Sequence, residues 1–405
     1  MCRKWRIFMY YIGIDVSKYK HDCFIMNEHG VVIRDSFSFD NNKEGFKLFL
    51  DVVKSLDCSQ EIKIGLEATG HYGDNLKLIL SANNLSFMEI NPTLVKRYIR
   101  GLSFRKQKTD KSDARWIAKY IANPDNPFKS YQIELYHLRA LKSLTRSRES
   151  LVKHRSQYLV MITNTLDKIF PEYKDFWDNK ISNTALFILK KYKKPSRIAK
   201  FTRDDCVKCH NHARVIPVSR FEDLATLAKN SVGHEEPFLL EQLQIFIDLY
   251  EIIDQRISEI ESKIDSIVIQ IDSPIFSIKG IGVYSAAAII GEFGDINKYK
   301  SANQLLAFAG LDCSRDQSGQ KDNYGKTVKT GSPHLRYNLL NIVRPLCLHN
   351  PVFKAYYHKK RVLEHKPRRV AEIHVVKKLL RVIFALYTNL DENGNLIKFE
   401  SEKLR

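Results

Sequence analysis

Four carboxylates carry the clearest chemistry in this sequence. Asp110 and Asp113 stand three residues apart in Lys108-Thr-Asp-Lys-Ser-Asp-Ala-Arg115. On a helix, that spacing places both on one face. They are embedded in a basic stretch, where Lys96, Arg97, Arg100, Arg105, Lys106, Lys108 and Lys111 face a single acid, Asp110, between residues 96 and 111. Paired acids among cations suit a metal ion bound beside a phosphate. Asp15 closes the apolar run Tyr11–Ile14, and Glu67 closes the alternating run Ile62, Ile64, Leu66. A carboxylate at each of two strand ends and two more on a helix turn could converge on one cleft. Such a cleft offers the hard oxygen ligands that two Mg2+ ions about 4 Å apart require. Each acid also has an ordinary explanation, since Asp is favoured at helix starts by the dipole and after strands as a turn residue.

Two further constellations bear on chemistry. Cys206, Cys209, His210 and His212 have a zinc-like CxxC spacing, but a structural site would want a second, separated knuckle. Ser318 precedes a glycine in a polar segment and could attack a phosphodiester if held near a metal or base. On chemistry alone Ser314 and Ser332 are equally eligible.

The elements that must position these residues follow from periodicity. Residues 10–39 read as three short strands in series, an antiparallel meander, followed by a helix at 41–56 and a strand at 62–66. Helix 74–82, strand 85–90, a helix beginning at Pro92 and helix 110–122 complete a mixed α/β layer. Residues 132–170 form a long helix whose Arg139, Lys142, Arg146, Arg148, Lys153 and Arg155 make basic faces. From Leu239 to Ile267, apolar residues recur in steps of four and three, a heptad seam that predicts a coiled coil with helix 132–170 of this or another chain. Gly-Ile-Gly at 280–282 resembles the turn of a helix–hairpin–helix. A polar loop over 311–333 and helices at 335–348 and 370–387 are expected to close the chain. The predicted domains are 9–128, 129–271 and 272–405.

Composition points to the partner. Lys and Arg outnumber Asp and Glu by 65 to 46, a net charge of +19, which favours a polyanion. The nine Lys or Arg between 359 and 381 against Glu364 and Glu372 add a further basic face. No apolar run approaches the ~18 residues that suggest a membrane span, and the apolar N-terminus runs straight into Asp15, so it reads as a first strand. Seven scattered cysteines suggest no disulfide framework and fit a reducing cytoplasm. No nucleotide-binding P-loop is present, and no nucleotide cofactor is expected.

Taken together, the motifs resemble the DEDD-type insertion-sequence transposases, the bridge-RNA-guided recombinases. The resemblance rests on Tyr11-Ile-Gly-Ile-Asp-Val-Ser-Lys18, Glu67-Ala-Thr-Gly-His-Tyr72, Ile90-Asn-Pro92 and Lys108–Arg115 in the first part of the chain. In the last part it rests on Ile278-Lys-Gly-Ile-Gly282, Gln304-Leu-Leu-Ala-Phe-Ala-Gly-Leu311, Gln317-Ser-Gly319 and Lys329-Thr-Gly-Ser-Pro-His-Leu-Arg336. It implies a RuvC-like, ribonuclease-H-type N-terminal domain and an all-α C-terminal transposase domain after the helical middle. It implies Asp15, Glu67, Asp110 and Asp113 as ligands of Mg2+ (two ions, with Mn2+ as a substitute) and Ser318 as a nucleophile forming a phosphoserine link to DNA. It also implies a structured guide RNA, a homo-oligomer (dimer or tetramer) and a prokaryotic, cytoplasmic, nucleoid-associated location. Arg115, Lys279, Lys329 and Arg336 fall within these motifs and join the basic residues expected to contact nucleic acid. The alternatives are a metal-only nuclease of the Holliday-junction type and a decayed transposase that only binds nucleic acid.

Overall fold

The computed structural model describes residues 9–57, 60–68, 70–102, 110–126, 128, 130, 136–177, 181–202, 204–205, 217–318, 321–327, 329–390 and 396–400. Among these, the side chains at 102, 110–112, 218, 313–318 and 321–327 are not described. The chain divides into two compact units, Met1–Ile133 and Glu134–Arg405.

The first unit is a mixed α/β layer. Strands β1 (Met9–Val16), β2 (Lys20–Asn27), β3 (Val32–Asp40), β4 (Glu61–Glu67) and β5 (Phe87–Ile90) form one sheet in the order β3-β2-β1-β4-β5. The first three strands are the expected antiparallel meander, and β4 and β5 join parallel to β1. Helices α1 (Lys43–Lys54) and α2 (Asp74–Ala82) cover one face, where Phe49, Val52, Leu76 and Leu80 pack with Ile12, Ile14, Ile64 and Leu66. Asn42 caps α1 by accepting a bond from the Gly45 amide at 2.8 Å. Helix α3 (Pro92–Leu102) follows β5, and α4 (Asp110–Ala122) covers the other face of the sheet. Burial on both faces explains why β1 reads as a near-continuous apolar run.

The second unit is mostly helical. Its longest elements are α5 (Tyr136–Ile169) and, after α6 (Asn183–Tyr192) and α7 (Val218–Lys229), α8 (Pro237–Val268). The heptad seam finds its partner within the chain, because α8 packs along α5. Arg148 pairs with Glu261 and Arg155 with Asp254, seven residues forward on one helix and seven back on the other, so the two run antiparallel. Leu239, Leu243, Ile247, Ile257 and Ile264 are the buried residues of α8, so the seam passes through Ile247 where strict heptads put Phe246. Among the described residues, the less regular stretch before α8 contains α6, α7 and two single-turn helices, Glu172–Phe176 and Pro195–Ile198. These enclose a separate core with the C-terminal half of α5 around Phe170, Tyr173 and Leu224.

Beyond α8 come α9 (Val283–Phe293), α10 (Ala302–Phe308), α11 (Pro333–Asn341), α12 (Val343–His349), α13 (Pro351–His358), a π turn (Lys359–Leu363) and α14 (Arg368–Thr388). The element before Gly-Ile-Gly is a single 3-10 turn, Pro274–Ser277. Gly280 takes φ +99°, and its absent side chain lets it sit against the backbone of Pro345 and Leu346. Two expectations change here. The polar loop contains a β-hairpin, β6 (Cys313–Ser318) paired antiparallel with β7 (Lys321–Thr327), which lacks the apolar alternation that would announce it. The helix expected at 335–348 starts two residues earlier, at Pro333, and is divided at Ile342.

Candidate active site and nucleic-acid interface

The position of α4 decides where the acids lie. A Cβ added to Gly13 would stand 2.0 Å from the Ala114 carbonyl oxygen and 2.5 Å from the Ala118 nitrogen, so the helix backbone rests directly on β1. Gly65, its partner on β4, faces the methyls of Ile117 and Ile121. Tyr11, two residues before Gly13, shares an apolar cluster with Ala122, beyond Ala118 on the helix. Helix α4 therefore runs antiparallel to β1, and its first turn, with Asp110 and Asp113, lies towards the C-terminal end of that strand.

Asp15 and Glu67 lie at that same end. Ile14 pairs with Leu66, so the two acids are the next residues on adjacent parallel strands. Alternation puts both on the face that carries Gly13 and Gly65, the face of α4. Backbone topology thus directs all four acids to one end of one face. Asp15, Glu67 and Asp113 are partly exposed, while the side chain of Asp110 lies outside the described residues. Among the described residues, no three His, Cys, Asp or Glu side chains stand close enough to share an ion.

Sequence reasoning missed a fifth acid on this face. Asp22 is the Cα partner of Asp15 on β2, is 4% exposed, and accepts a hydrogen bond from Ser38 Oγ. Its signal was the alternation Asp22, Phe24, Met26, the last two of which pack against Ala114 and Ala118.

The basic residues divide by role. Lys96, Arg97 and Arg100 are exposed on α3, as are Lys279 and Lys329 in the second unit. Arg115 lies 3.6 Å from Asp35 and over the Phe24 ring. Arg336 donates to the Ala309 carbonyl at 3.2 Å. The Lys111 side chain, together with Arg105, Lys106 and Lys108, lies outside the described residues, as do Cys206, Cys209, His210 and His212. Three of the basic residues of α5 have internal partners, Arg146 with Glu292, Arg148 with Glu261 and Arg155 with Asp254. The corner from the π turn into α14 exposes Lys359, Arg361, Lys366, Arg368 and Arg369, although the last two also pair with Glu372.

The serines are also separated by their surroundings. Ser332 caps α11, accepting from the Leu335 amide at 3.2 Å and donating to Glu292 at 2.8 Å. Burial alone would push the Glu292 carboxyl up, but the bonds from Arg146 and Ser332 outweigh it and hold the carboxyl below its usual range. Ser314 stands near the root of the hairpin, at the irregularity between Cys313 and Arg315. Ser318 is the last residue of β6 and pairs with Lys321, which places it at the far end of the hairpin.

Both parts of the sequence match known families. Residues 12–171 match the sequence model of the IS110-type DEDD transposases, described as "Transposase", and residues 272–358 match that of the "Transposase IS116/IS110/IS902 family". A "Probable family 20 transposase" of Pseudomonas aeruginosa is 26% identical over 151 residues, 36% of this chain and 44% of that protein, so the match spans under half the length of that relative. An "Insertion element IS116 uncharacterized 44.8 kDa protein" of Streptomyces clavuligerus is 21% identical over 357 residues, 87% of this chain and 88% of that protein. The two matched regions contain Asp15, Glu67, Asp110 and Asp113 in the first and Ser318 in the second. The chain belongs to the IS110/IS116 family of DEDD-type insertion-sequence transposases.

Proposed function

We propose that this chain cuts and rejoins DNA to move its own element, with Ser318 as nucleophile and the four-acid end of the sheet as its metal site. The observation that carries the reading is the seating of α4 on Gly13, which directs Asp110 and Asp113 to the end of the sheet that holds Asp15 and Glu67. The five-strand order, with its antiparallel meander and two parallel strands, suits a RuvC-like domain. The donor set is all carboxylate, which fits Mg2+ or Mn2+ and not a soft metal. When bound, such ions would neutralise phosphate charge and favour the ionised form of an attacking hydroxyl.

The chain's own residues do the rest. The Ser318 hydroxyl gives up its proton to solvent as its Oγ attacks the phosphorus of the scissile phosphodiester; a phosphorus–oxygen bond forms to serine, the one to the deoxyribose breaks, and the deoxyribose oxygen leaves and takes up a proton. Reversal by the hydroxyl of another strand restores a phosphodiester, so bond energy is conserved and no ATP is needed. The surroundings of Ser332 support Ser318 over it, since the Ser332 hydroxyl is committed to a helix cap and to the Glu292 carboxylate. Exposed cations on α3 and at the π-turn corner hold DNA and a guide RNA through their phosphates. The Ile281 amide is held by the Ile278 carbonyl at 3.2 Å, and the Gly280 and Gly282 amides are left to offer a further phosphate contact in the manner of a helix–hairpin–helix. Phe238, Ile245 and Ile252 are 63%, 50% and 54% exposed on α8 and lie one heptad apart, which supports self-association along that helix.

The test pairs two substitutions. Asp110→Ala should abolish cleavage while leaving DNA and RNA binding in place, and Ser318→Ala should abolish strand exchange. Strand exchange that survives Ser318→Ala would favour a metal-only nuclease. Binding without cleavage by the unaltered protein in Mg2+ or Mn2+ would favour a binding protein.

A further inference from the structure

The hairpin that carries Ser318 rises from a junction fastened by one buried carboxylate. The Leu311 amide donates to the Leu306 carbonyl at 3.0 Å, and the Ser332 amide to the Phe308 carbonyl at 2.8 Å. Gly310, at φ +64°, and Gly331 lie against each other, and a Cβ on Gly331 would stand 2.1 Å from the Phe308 oxygen and 2.4 Å from the Gly310 nitrogen. The motifs Gln304–Leu311 and Lys329–Arg336 therefore form a single knot at the base of the hairpin. Glu292, 1% exposed on α9, anchors that knot. Its carboxylate accepts both prongs of Arg146 from α5, at 2.5 and 3.0 Å, and the Ser332 hydroxyl at 2.8 Å. A second pair, Glu149 with His334 at 3.0 Å, ties the same two helices, α5 and α11, beside it.

We infer that Glu292 is a positioning residue for Ser318, fixing the angle at which the hairpin leaves the helical body. The inference rests on the reading of Ser318 as nucleophile. Lever geometry gives its size. Six residues of β6 span about 20 Å, so a tilt of about 3° at the base moves the far end by about 1 Å. A misplacement of that size can cost on the order of 100-fold in rate. A fork held by two parallel charge-assisted bonds resists such a tilt, and a cap with freedom to shift does not.

The readout is the single-turnover rate of covalent protein–DNA adduct formation on element-end DNA with the flanking non-coding RNA, measured well below the melting temperature. Glu292→Gln should lower this rate 10- to 100-fold with DNA affinity unchanged and with faster amide exchange in the hairpin. Ser332→Ala should lower it too, Ser332→Thr should restore it, and the Glu292→Gln/Ser332→Ala double variant should be no worse than the poorer single one. A folded Glu292→Gln protein that forms adduct within twofold of the unaltered rate, or losses that simply multiply in the double variant, would overturn the inference. If Glu292→Gln does not fold, Arg146→Lys, which keeps the charge but loses the fork, must show the rate loss for the inference to stand. If the unaltered protein forms no serine adduct, the reading of Ser318 fails first; if only the variants match it, the positioning role fails alone.

Discussion

Adding one methyl group at Gly13 should separate the two halves of the proposed acidic site. The new Cβ would meet the Ala114 carbonyl oxygen at 2.0 Å, where ordinary contact begins at 3.4 Å, a shortfall of 3.4 − 2.0 = 1.4 Å. The obstacle is backbone, so no rotamer change relieves it, and Ala114→Gly offers no rescue. Either α4 lifts from the sheet or β1 bends. Gly13 is not among the glycines at positive φ, so alanine introduces no dihedral strain and even restricts the unfolded chain slightly. Overpacking of this kind costs about 1–3 kcal/mol, and the retreat also strips contacts from Ala114, Ile117 and Ala118, each fully buried. A net loss of about 2–3 kcal/mol should lower the transition of the N-terminal unit by roughly 6–12 °C in calorimetry. A lift of about 1 Å at the α4 acids should cost cleavage on the order of 100-fold. Gly65→Ala is the control. There the shortfall is 3.4 − 2.8 = 0.6 Å against a methyl of Ile117, which can shift, so a loss of about 1 kcal/mol and near-normal cleavage are expected. A Gly13→Ala protein with unchanged melting and cleavage, or one no worse than Gly65→Ala, would refute the seating of α4 on β1.

Three further outcomes follow from other parts of the molecule. His21 is fully buried between Phe39 and Phe46, and burial lowers its pKa below 6.5 against the opposing pull of Asn41 and Asp22. The unfolded chain takes up a proton there first, so stability should fall as pH drops below about 6.5, by at most about 1.4 kcal/mol per pH unit, and His21→Leu should flatten that slope in urea titrations between pH 7.5 and 5.5. Arg148 and Glu261 join α5 to α8 at 2.6 Å with both side chains partly exposed, so a double-mutant cycle should return no more than about 1 kcal/mol, and a larger coupling would mean the pair is desolvated. Replacing Arg361 and Lys366, exposed at the π-turn corner, by Gln should weaken nucleic-acid binding uniformly across sequences and reduce the slope of log K against log salt by roughly one to two, a change absent if the corner faces solvent in the complex.

Much of the N-terminal unit is legible because its cues are local. The apolar run ending at Asp15 and the alternation ending at Glu67 mark β1 and β4, and their shared register then follows from parallel pairing. What keeps α4 in place is not legible, because Gly13 and Gly65 serve by lacking a side chain and a sequence does not say what occupies the vacated space. The seam of α8 is plain in the heptads, yet its antiparallel partner is settled by charges more than a hundred residues away along the chain, such as Arg148 with Glu261. The hairpin under Ser318 escapes periodicity because the sequences of Cys313–Ser318 and Lys321–Thr327 are mostly polar and show no apolar alternation, while the pairing that joins them is a property of the backbone. Glu292 left a cue, an acid at the end of the otherwise apolar helix Val283–Phe293, where a buried charge needs a partner.

The central claim, that Ser318 breaks DNA with help from the acids at Asp15, Glu67, Asp110 and Asp113, is tested most directly by trapping the protein on its DNA. Incubation of the full chain with Mg2+, element-end DNA and the flanking RNA, followed by denaturation, protease digestion and mass spectrometry, should yield a nucleotide covalently joined to Ser318. That adduct should be absent from Ser318→Ala and strongly reduced in Asp113→Asn. Cleaved DNA with no protein attached, or an adduct on any residue other than Ser318, would contradict the account.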